Sequence, residues 1–331
     1  MTTKIISIAY FFPKNALTNT ELSNKFPDWT SDRIEEKIGI KQRHYVDENQ
    51  TSLDIAEEAC NNLFKIINKE LIDFILLCTQ SPDYFLPTSA CILQDRLGLK
   101  KEVGALDYNL GCSGFIYGLA LSKGLISSGI ASNVLLVTAE TYSKFIHPED
   151  KANLSIFGDG ATATLVSSSD RDQIKEFVLG TDGSGYRNLI VEVGGLRSRK
   201  GEELTHINEN GIFQSPGNLF MNGPEIFNFT IEVIPLLIEH TLQKNSLKLD
   251  DINYFIFHQA NKYILDYLRK KLKIPKEKFY SNMLMTGNTV SSTIPIALKD
   301  CLETGIINNG DKVMLVGFGV GYSWGATIIE I

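Results

Sequence analysis

The sequence predicts an α/β protein in which one structural unit is used twice, and three observations carry that prediction. Short continuous apolar runs alternate with helix-periodic segments through the 331 residues, as expected for strands buried on both faces of helix-covered sheets. The order of landmarks then repeats. The run Ile72–Cys78 with its polar tip Thr79-Gln80 is answered by Ile252–Phe257 and His258-Gln259; Gly111-Cys112-Ser113 is answered by Gly287-Asn288-Thr289; and Asn133–Thr138 is answered by Asp311–Gly317. Finally, matching landmarks lie at nearly equal intervals, Gln80 to Cys112 against Gln259 to Asn288 and Cys112 to Val137 against Asn288 to Val316. Each copy is therefore expected to own a sheet and its crossover helices, with halves at 1–170 and 171–331.

The elements follow in order. Lys4–Ala9 is a strand closed by Phe11-Phe12-Pro13. Thr18-Asn19-Thr20 ahead of Glu21 marks a helix start, and the charged segment Ser31–Ile38 is a helix ending at Gly39. Thr51-Ser52-Leu53-Asp54 opens a helix to about Ile67, with Leu53, Ala56, Ala59, Cys60 and Leu63 on one face. After the Ile72–Cys78 strand, Ser81-Pro82-Asp83 breaks the chain, and Pro87-Thr88-Ser89 is expected to cap a helix over Ala90–Leu97. A helix follows Cys112, then the Asn133–Thr138 strand, and Phe157-Gly158-Asp159-Gly160-Ala161 feeds another strand through Val166. The glycine-rich, charged stretch from Gly180 to Gly223 is longer than an ordinary connection and reads as a functional excursion with short strands or flaps. Phe220–Leu242 is a helix in the register Ile226, Phe229, Val233 and Leu237, with Pro235 as a kink point.

Composition bounds the function. With 43% hydrophobic and 21% charged residues this is an ordinary globular protein, and a net charge of -7 argues against a general nucleic-acid binder. The five cysteines are odd in number, widely spaced and free of CxxC pairs, which suits a reducing compartment and offers no metal or disulfide pattern. The N-terminal residues show no signal-peptide pattern, and no apolar run approaches the ~18 residues of a membrane span. The expectation is a cytoplasmic protein that spans no membrane.

Cys112 is the first candidate for chemistry. It lies between Gly111 and Gly114, where an extended run turns into a helix, so helix N-terminal N–H groups would stabilise a thiolate or an oxyanion there. A core cysteine is the competing reading for this segment taken alone. The repeat decides between them. If the copies pack about a pseudo-twofold axis, Cys112 and Asn288 hold equivalent places facing the seam, and His258 ends the strand before Asn288. Cys60, Cys78, Cys91 and Cys301 read as core, and the other four histidines have no motif around them.

Gly111-Cys112-Ser113, His258-Gln259-Ala260-Asn261, Gly287-Asn288-Thr289, Gly158-Asp159-Gly160-Ala161 and Gly317-Phe318-Gly319-Val320-Gly321-Tyr322-Ser323-Trp324-Gly325, in this order, resemble the ketoacyl-ACP synthase III family of the thiolase superfamily. The resemblance runs almost the full length. It implies a thiolase-like duplicated fold, five-layered α-β-α-β-α, with two pseudo-twofold-related mixed sheets. It also implies acyl transfer to Cys112, then decarboxylative Claisen condensation with a malonyl thioester. In that scheme His258 and Asn288 hold the enolate, and the backbone N–H groups of Cys112 and Val320 form the oxyanion hole. No cofactor is implied; coenzyme A (CoA) or acyl-carrier-protein (ACP) thioesters are substrates, and the expected partners are the carrier protein and a second copy of the chain in a homodimer. The glycine-rich C-terminal run is a weak dinucleotide signal, since no strand-to-helix turn with a later acidic residue accompanies it.

The sequence also departs from the family. Most relatives have glycine where Val320 stands. The adenine-stacking tryptophan and its arginine fall on Arg33 and Lys37, while Trp29 is nearby but out of register; two further arginines fall on Tyr263 and Lys151. An arginine can stack on adenine itself, which leaves CoA and ACP both open as donor carriers. Lys270 and Lys271 match lysines that dock acidic carrier proteins, Asn261 belongs with these substrate-side residues or serves the HQAN turn structurally, and Leu86 takes the place of a gate at the acyl pocket. Thr79-Gln80 replaces the threonine–glutamate pair of hydroxymethylglutaryl-CoA synthases and supplies no such acid. Two other readings stay open at this point, transfer of the Cys112 acyl group to an alcohol or amine and a non-catalytic carrier-binding subunit.

Overall fold

The structure, a computed structural model, describes residues 2–199, 206–207 and 213–331. It opens with β1 (Thr2–Phe11). A short antiparallel pair, β2 (Asn15–Thr18) and β3 (Gln42–Tyr45), encloses α1 (Asn19–Lys25) and α2 (Ser31–Ile38). Thr18 with Glu21 and Thr51 with Asp54 form capping boxes on α1 and on α3 (Ser52–Phe64). α3 stops short of Ile67 because Ile66 and Ile67 both turn their N–H groups onto the Leu63 carbonyl. β4 (Phe74–Cys78) leads to α4 (Ser89–Arg96), whose start corrects the sequence reading. Thr88 makes no cap and instead points its hydroxyl at the Cys91 sulfur, 3.0 Å away. The cap comes from Asp107 on β5 (Gly104–Tyr108), whose carboxylate accepts the N–H groups of Ser89 and Ala90. α5 (Gly114–Ser127), β6 (Asn133–Glu140), α6 (Lys151–Ile156) and β7 (Gly160–Ser169) complete the first half.

The second half begins with β8 (Val178–Thr181) and the excursion foreseen around Gly180–Gly223. It holds β9 (Leu189–Ile190), β10 (His206–Ile207), β11 (Phe213–Gln214) and β12 (Phe220–Met221), paired as β9 with β12 and β10 with β11; Gly201 and Gly211 lie outside the described residues. Because Phe220 and Met221 are taken up by that pairing and Asn222 supplies the cap, α7 (Gly223–Lys244) starts later than its periodicity suggests. It runs on through Pro235. Then come β13 (Tyr254–Phe257), α8 (Lys262–Lys271), β14 (Phe279–Tyr280), α9 (Thr293–Glu303), β15 (Lys312–Gly319) and β16 (Ser323–Glu330).

The two main sheets have the same topology. One runs β5-β4-β6-β7-β1 and the other β14-β13-β15-β16-β8, and in each the first two pairings are parallel and the last two antiparallel. Every strand of the first sheet precedes residue 170 and every strand of the second follows residue 171. α5 and α9 fill the space between the sheets, where Phe115, Ile116 and Leu119 meet Ile294 and Leu298 with no exposure. A helix covered by sheet on both sides has no use for a polar face, which is why α5 is apolar nearly all round. α3 and α4 cover the first sheet from outside, and α7 and α8 cover the second. The result is the five-layered α-β-α-β-α arrangement. Each fully buried Leu, Ile or Phe in these layers contributes about 1.5–3 kcal/mol, so the central layer rigidly ties both halves together. Among the described residues, no helix is long and apolar enough to cross a membrane.

Candidate active site

Cys112 sits on the turn between β5 and α5, closed by the Gly114 N–H on the Gly111 carbonyl at 2.7 Å. It is only 5% exposed. Gly319 at the end of β15 gives the sulfur its room: a Cβ there would lie 2.8 Å from the Cys112 Cβ and 2.9 Å from its Sγ. The backbone N–H groups of Cys112 and Val320 favour the charged form of the sulfur. They do not prevail in the resting protein. Burial, with the Glu140 carboxyl adding to it, pushes the thiol up to about 12, so the helix N-terminus does not produce the lowered value its position suggests. Partial charges at a helix start replace only part of the hydration that a buried thiolate loses.

His258, 2% exposed, follows the tip of β13, and Asn288, 4% exposed, lies on the junction ahead of α9. That junction is held against the first half: the Asn288 N–H donates to the Ile156 carbonyl at 2.9 Å and the Gly158 N–H to the Asn288 carbonyl at 3.0 Å. Gly287, at φ 69°, takes a left-handed turn there, and a Cβ on it would clash with the Arg43 Cβ at 2.9 Å. The Val290 N–H donates to Asn288 Oδ1 at 2.9 Å, which turns the carboxamide NH2 toward His258 Nε2 and the Ala260 carbonyl, each 3.4 Å away. His258 Nδ1 lies 2.8 Å from the Thr293 hydroxyl. Burial lowers the imidazole to about 3, so it is neutral at any physiological pH. Cys112 and Val290 belong to one apolar cluster, which brings the Cys112 turn and the Asn288 junction to the same place.

A cavity of about 760 Å³ adjoins this place, lined among others by Gln80, Phe85, Tyr142, Leu189, Leu219 and Val320. The Val320 Cγ1 also stands 2.6 Å from where a Gly111 Cβ would be, so the two turns leave room there for glycine alone. Gln80 Oε1 accepts the Tyr142 hydroxyl at 2.6 Å, which fixes a polar side chain beside the turn. Beneath lies Glu140, fully buried and, among the described residues, in no salt bridge. Its carboxyl accepts the Gln80 N–H at 3.1 Å and the Ser291 hydroxyl at 3.1 Å, joining the halves under Cys112, and burial pushes it up to about 8. No motif announces Glu140 in the sequence. The apolar Asn133–Thr138 run ahead of it gives the strand but not the acid at its tip.

The peripheral residues sort into two groups. Arg33 lies over the Trp29 ring at 5.2 Å and Lys37 at 6.0 Å, while the Trp29 Nε1–H donates to the Ser155 hydroxyl at 2.8 Å. Trp29, out of register by counting, is thus brought beside both cations by the fold. Lys151 completes this surface but is paired with Asp28. On α8, Asn261 serves as N-cap, accepting the Ile264 N–H at 2.9 Å, and Tyr263 packs on Phe227 at 5.3 Å. Lys270 is exposed, and Lys271, also exposed, donates to the Ile231 carbonyl at 2.7 Å. Leu86 is 82% exposed, and the neighbours that reach the cavity from the same chain are Tyr84 and Phe85. Cys91 is exposed rather than core, because α4 turns that position outward; Cys60, Cys78 and Cys301 are buried. Among the described residues, no group of His, Cys, Asp and Glu side chains is placed to hold a metal ion.

Comparison with known proteins adds a second line. The family models described as 3-Oxoacyl-[acyl-carrier-protein (ACP)] synthase III and as the C-terminal part of the same synthase match residues 106–183 and 242–331. A beta-ketoacyl-[acyl-carrier-protein] synthase III of Clostridium perfringens is 39% identical over 331 residues, 99% of each chain, and one of Fusobacterium nucleatum is 35% identical over 329 residues, 98% of each. A crystal structure of a 3-oxoacyl-(acyl-carrier-protein) synthase III superposes with a TM-score of 0.98 at 44% identity, covering 100% of both chains. A 3-oxoacyl-(acyl-carrier protein) synthase of Burkholderia xenovorans gives 0.93 at 33% identity, covering 100% of this chain and 94% of its own.

Proposed function

Since the chain belongs to the 3-oxoacyl-[acyl-carrier-protein] synthase III family of condensing enzymes, we propose that it builds a 3-oxoacyl thioester in two steps, each served by one half of the site. In the first, the Cys112 sulfur attacks an acyl thioester. The carrier's C–S bond breaks, a new one forms to Sγ, and the thiol proton leaves with the carrier sulfur. In the second, a malonyl thioester loses CO2, and the electron pair of the broken C–C bond becomes an enolate held by donors from His258 and Asn288. Its carbon attacks the acyl-Cys112 carbonyl, the resulting oxyanion takes the N–H groups of Cys112 and Val320, and collapse returns the Cys112 sulfur. The sulfur returns as a thiolate and takes one proton from solvent, so atoms, electrons and charge balance with acyl and malonyl thioesters and that proton, and the reading needs no cofactor.

The observation that carries this reading is the presence of two separate donor sets, two backbone N–H groups at the sulfur and neutral His258 with Asn288 at the facing junction. Preorganised donors of this kind stabilise developing charge more than water does, because they do not have to reorient. Trp29 with Arg33 and Lys37 offers a flat, cationic platform for the adenine of a CoA donor. Exposed Lys270 and Lys271 on a protein of net charge -7 offer an acidic carrier protein a local docking point. A homodimer completes the reading: β5 is an open sheet edge with Leu106 45% exposed, and Phe85 and Leu86 stand 78% and 82% exposed beside the cavity mouth. Five free cysteines suit the reducing cytoplasm. The test is intact-protein mass spectrometry with acyl-CoA and acyl-ACP donors, followed by malonyl-ACP. An acyl mass on Cys112 that then disappears with release of CO2 supports the reading, and a stable adduct with no CO2 contradicts it.

A further inference from the structure

His258 can help hold an enolate only from the ring nitrogen that faces Asn288, and a neutral imidazole has one proton to place. Which nitrogen carries it depends on what the other one meets. Nε2 lies 3.4 Å from Asn288 Nδ2, longer than an ordinary N–H hydrogen bond, a spacing that suits two donors side by side waiting for a shared acceptor. Nδ1 meets the Thr293 hydroxyl at 2.8 Å. That hydroxyl has two places for its proton, Nδ1 or the Val290 carbonyl at 3.1 Å, and the ring is the nearer. The Val290 carbonyl also lies close to the ring itself and would favour a proton on it. Thr293 stands between the two.

We propose that Thr293 is a positioning residue that keeps the His258 proton on Nε2, by donating its hydroxyl to Nδ1, so that imidazole and carboxamide present two donors to the same oxygen. The proposal rests on the condensing reading above. Its geometry comes from the chain around Val290, a fully buried β-branched residue at φ 54°. A left-handed conformation is costly for such a residue. Here it aims the Val290 N–H at Asn288 Oδ1 and the Val290 carbonyl at Thr293. One strained residue therefore orients both donors, Asn288 directly and His258 through the first-turn threonine of α9.

T293V, nearly the same shape without the hydroxyl, leaves the ring beside the Val290 carbonyl and moves the proton to Nδ1. Decarboxylation of malonyl-ACP should then fall roughly a hundredfold, as for loss of one oxyanion donor, while acylation of Cys112, which needs neither donor, continues and reports an intact fold. T293S restores decarboxylation. T293A, which lacks the hydroxyl and adds no methyl, carries the test where T293V loses acylation. A 15N spectrum of histidine-labelled acyl-enzyme, with the His258 signal assigned by H258A, should show the proton on Nε2 in wild type and on Nδ1 in T293V. Unchanged CO2 release in T293V, a proton on Nδ1 in the wild-type acyl-enzyme, or failure of T293S to restore activity would each overturn the proposal. If the wild-type protein releases no CO2 from malonyl-ACP, the condensing reading itself fails, a different result from any of these.

Discussion

The two halves of the molecule share one sheet topology and arm the same junction in different ways. In the first, β5 turns through Gly111-Cys112-Ser113 into α5 and presents a sulfur met by backbone N–H groups. In the second, the junction Gly287-Asn288-Thr289 ahead of α9 presents a carboxamide, with an imidazole from the tip of β13 beside it. Both are buried, and burial keeps both neutral by opposite shifts, the thiol up to about 12 and the imidazole down to about 3. Of the two junctions only the second holds a non-glycine residue at positive φ, Val290, which aims that junction's side-chain donors, whereas the Cys112 N–H is already aimed by the helix start and the Val320 N–H comes from the turn after β15. Duplication supplied one geometry, and side-chain choice at matching turns divided a two-step reaction between nucleophile and charge-holding pair.

That division can be broken from either side. C112A removes the nucleophile and should abolish the covalent adduct, lowering condensation by about 10⁴-fold or more, as read by product formation. H258A and N288A should each lower CO2 release about 10²–10³-fold while the acyl adduct still forms; equal loss of both steps would mean the halves do not divide the work. G319A places a methyl against the Cys112 side chain and should slow acylation roughly tenfold, with about 1–3 kcal/mol of destabilisation in urea melts. The charge reversals K270E and K271E together should raise KM for carrier-bound substrate several-fold and leave a small thioester analogue unaffected.

The pH dependence sharpens the comparison further. Because His258 is held neutral well below its usual 6.5, the rate of decarboxylation should show no limb near pH 6.5, and a limb there would contradict its neutral role. Glu140 works in the other sense. Its folded value is raised from 4.5 to about 8, so the folded state binds the extra proton, and its contribution is intact below pH 4.5 and lost as pH rises toward 8. Thermal melts of E140Q should be flatter across that window than those of wild type, and parallel curves would count against the assignment.

Much of this was legible in the sequence, and the gaps have physical causes. Cys112, His258 and Asn288 stand at turns marked by glycine or by the end of an apolar run, where the repeat singles them out and the family resemblance gives them their roles. The Thr18 and Thr51 capping boxes are local too. The cap of α4 was missed because Asp107 arrives from a strand that follows the helix in sequence, and a short window favours the adjacent Thr88. Trp29 is out of register with Arg33 and Lys37 along the chain because it precedes α2, and its ring is set beside them by Ser155 on α6, a contact that chain spacing does not reveal. Glu140 and Thr293 act through partners on other elements, Gln80 and Ser291 for the one and His258 for the other, and neither type of residue is rare enough to signal that role alone.

The most direct test compares two proteins in one experiment, intact mass and CO2 release for C112A and for the double variant H258A/N288A. C112A should take no acyl mass yet still decarboxylate malonyl-ACP, because its enolate-holding pair is untouched. H258A/N288A should take the acyl mass and release no CO2. If both variants lose both steps, or C112A alone keeps the adduct, the division of labour between the halves is contradicted.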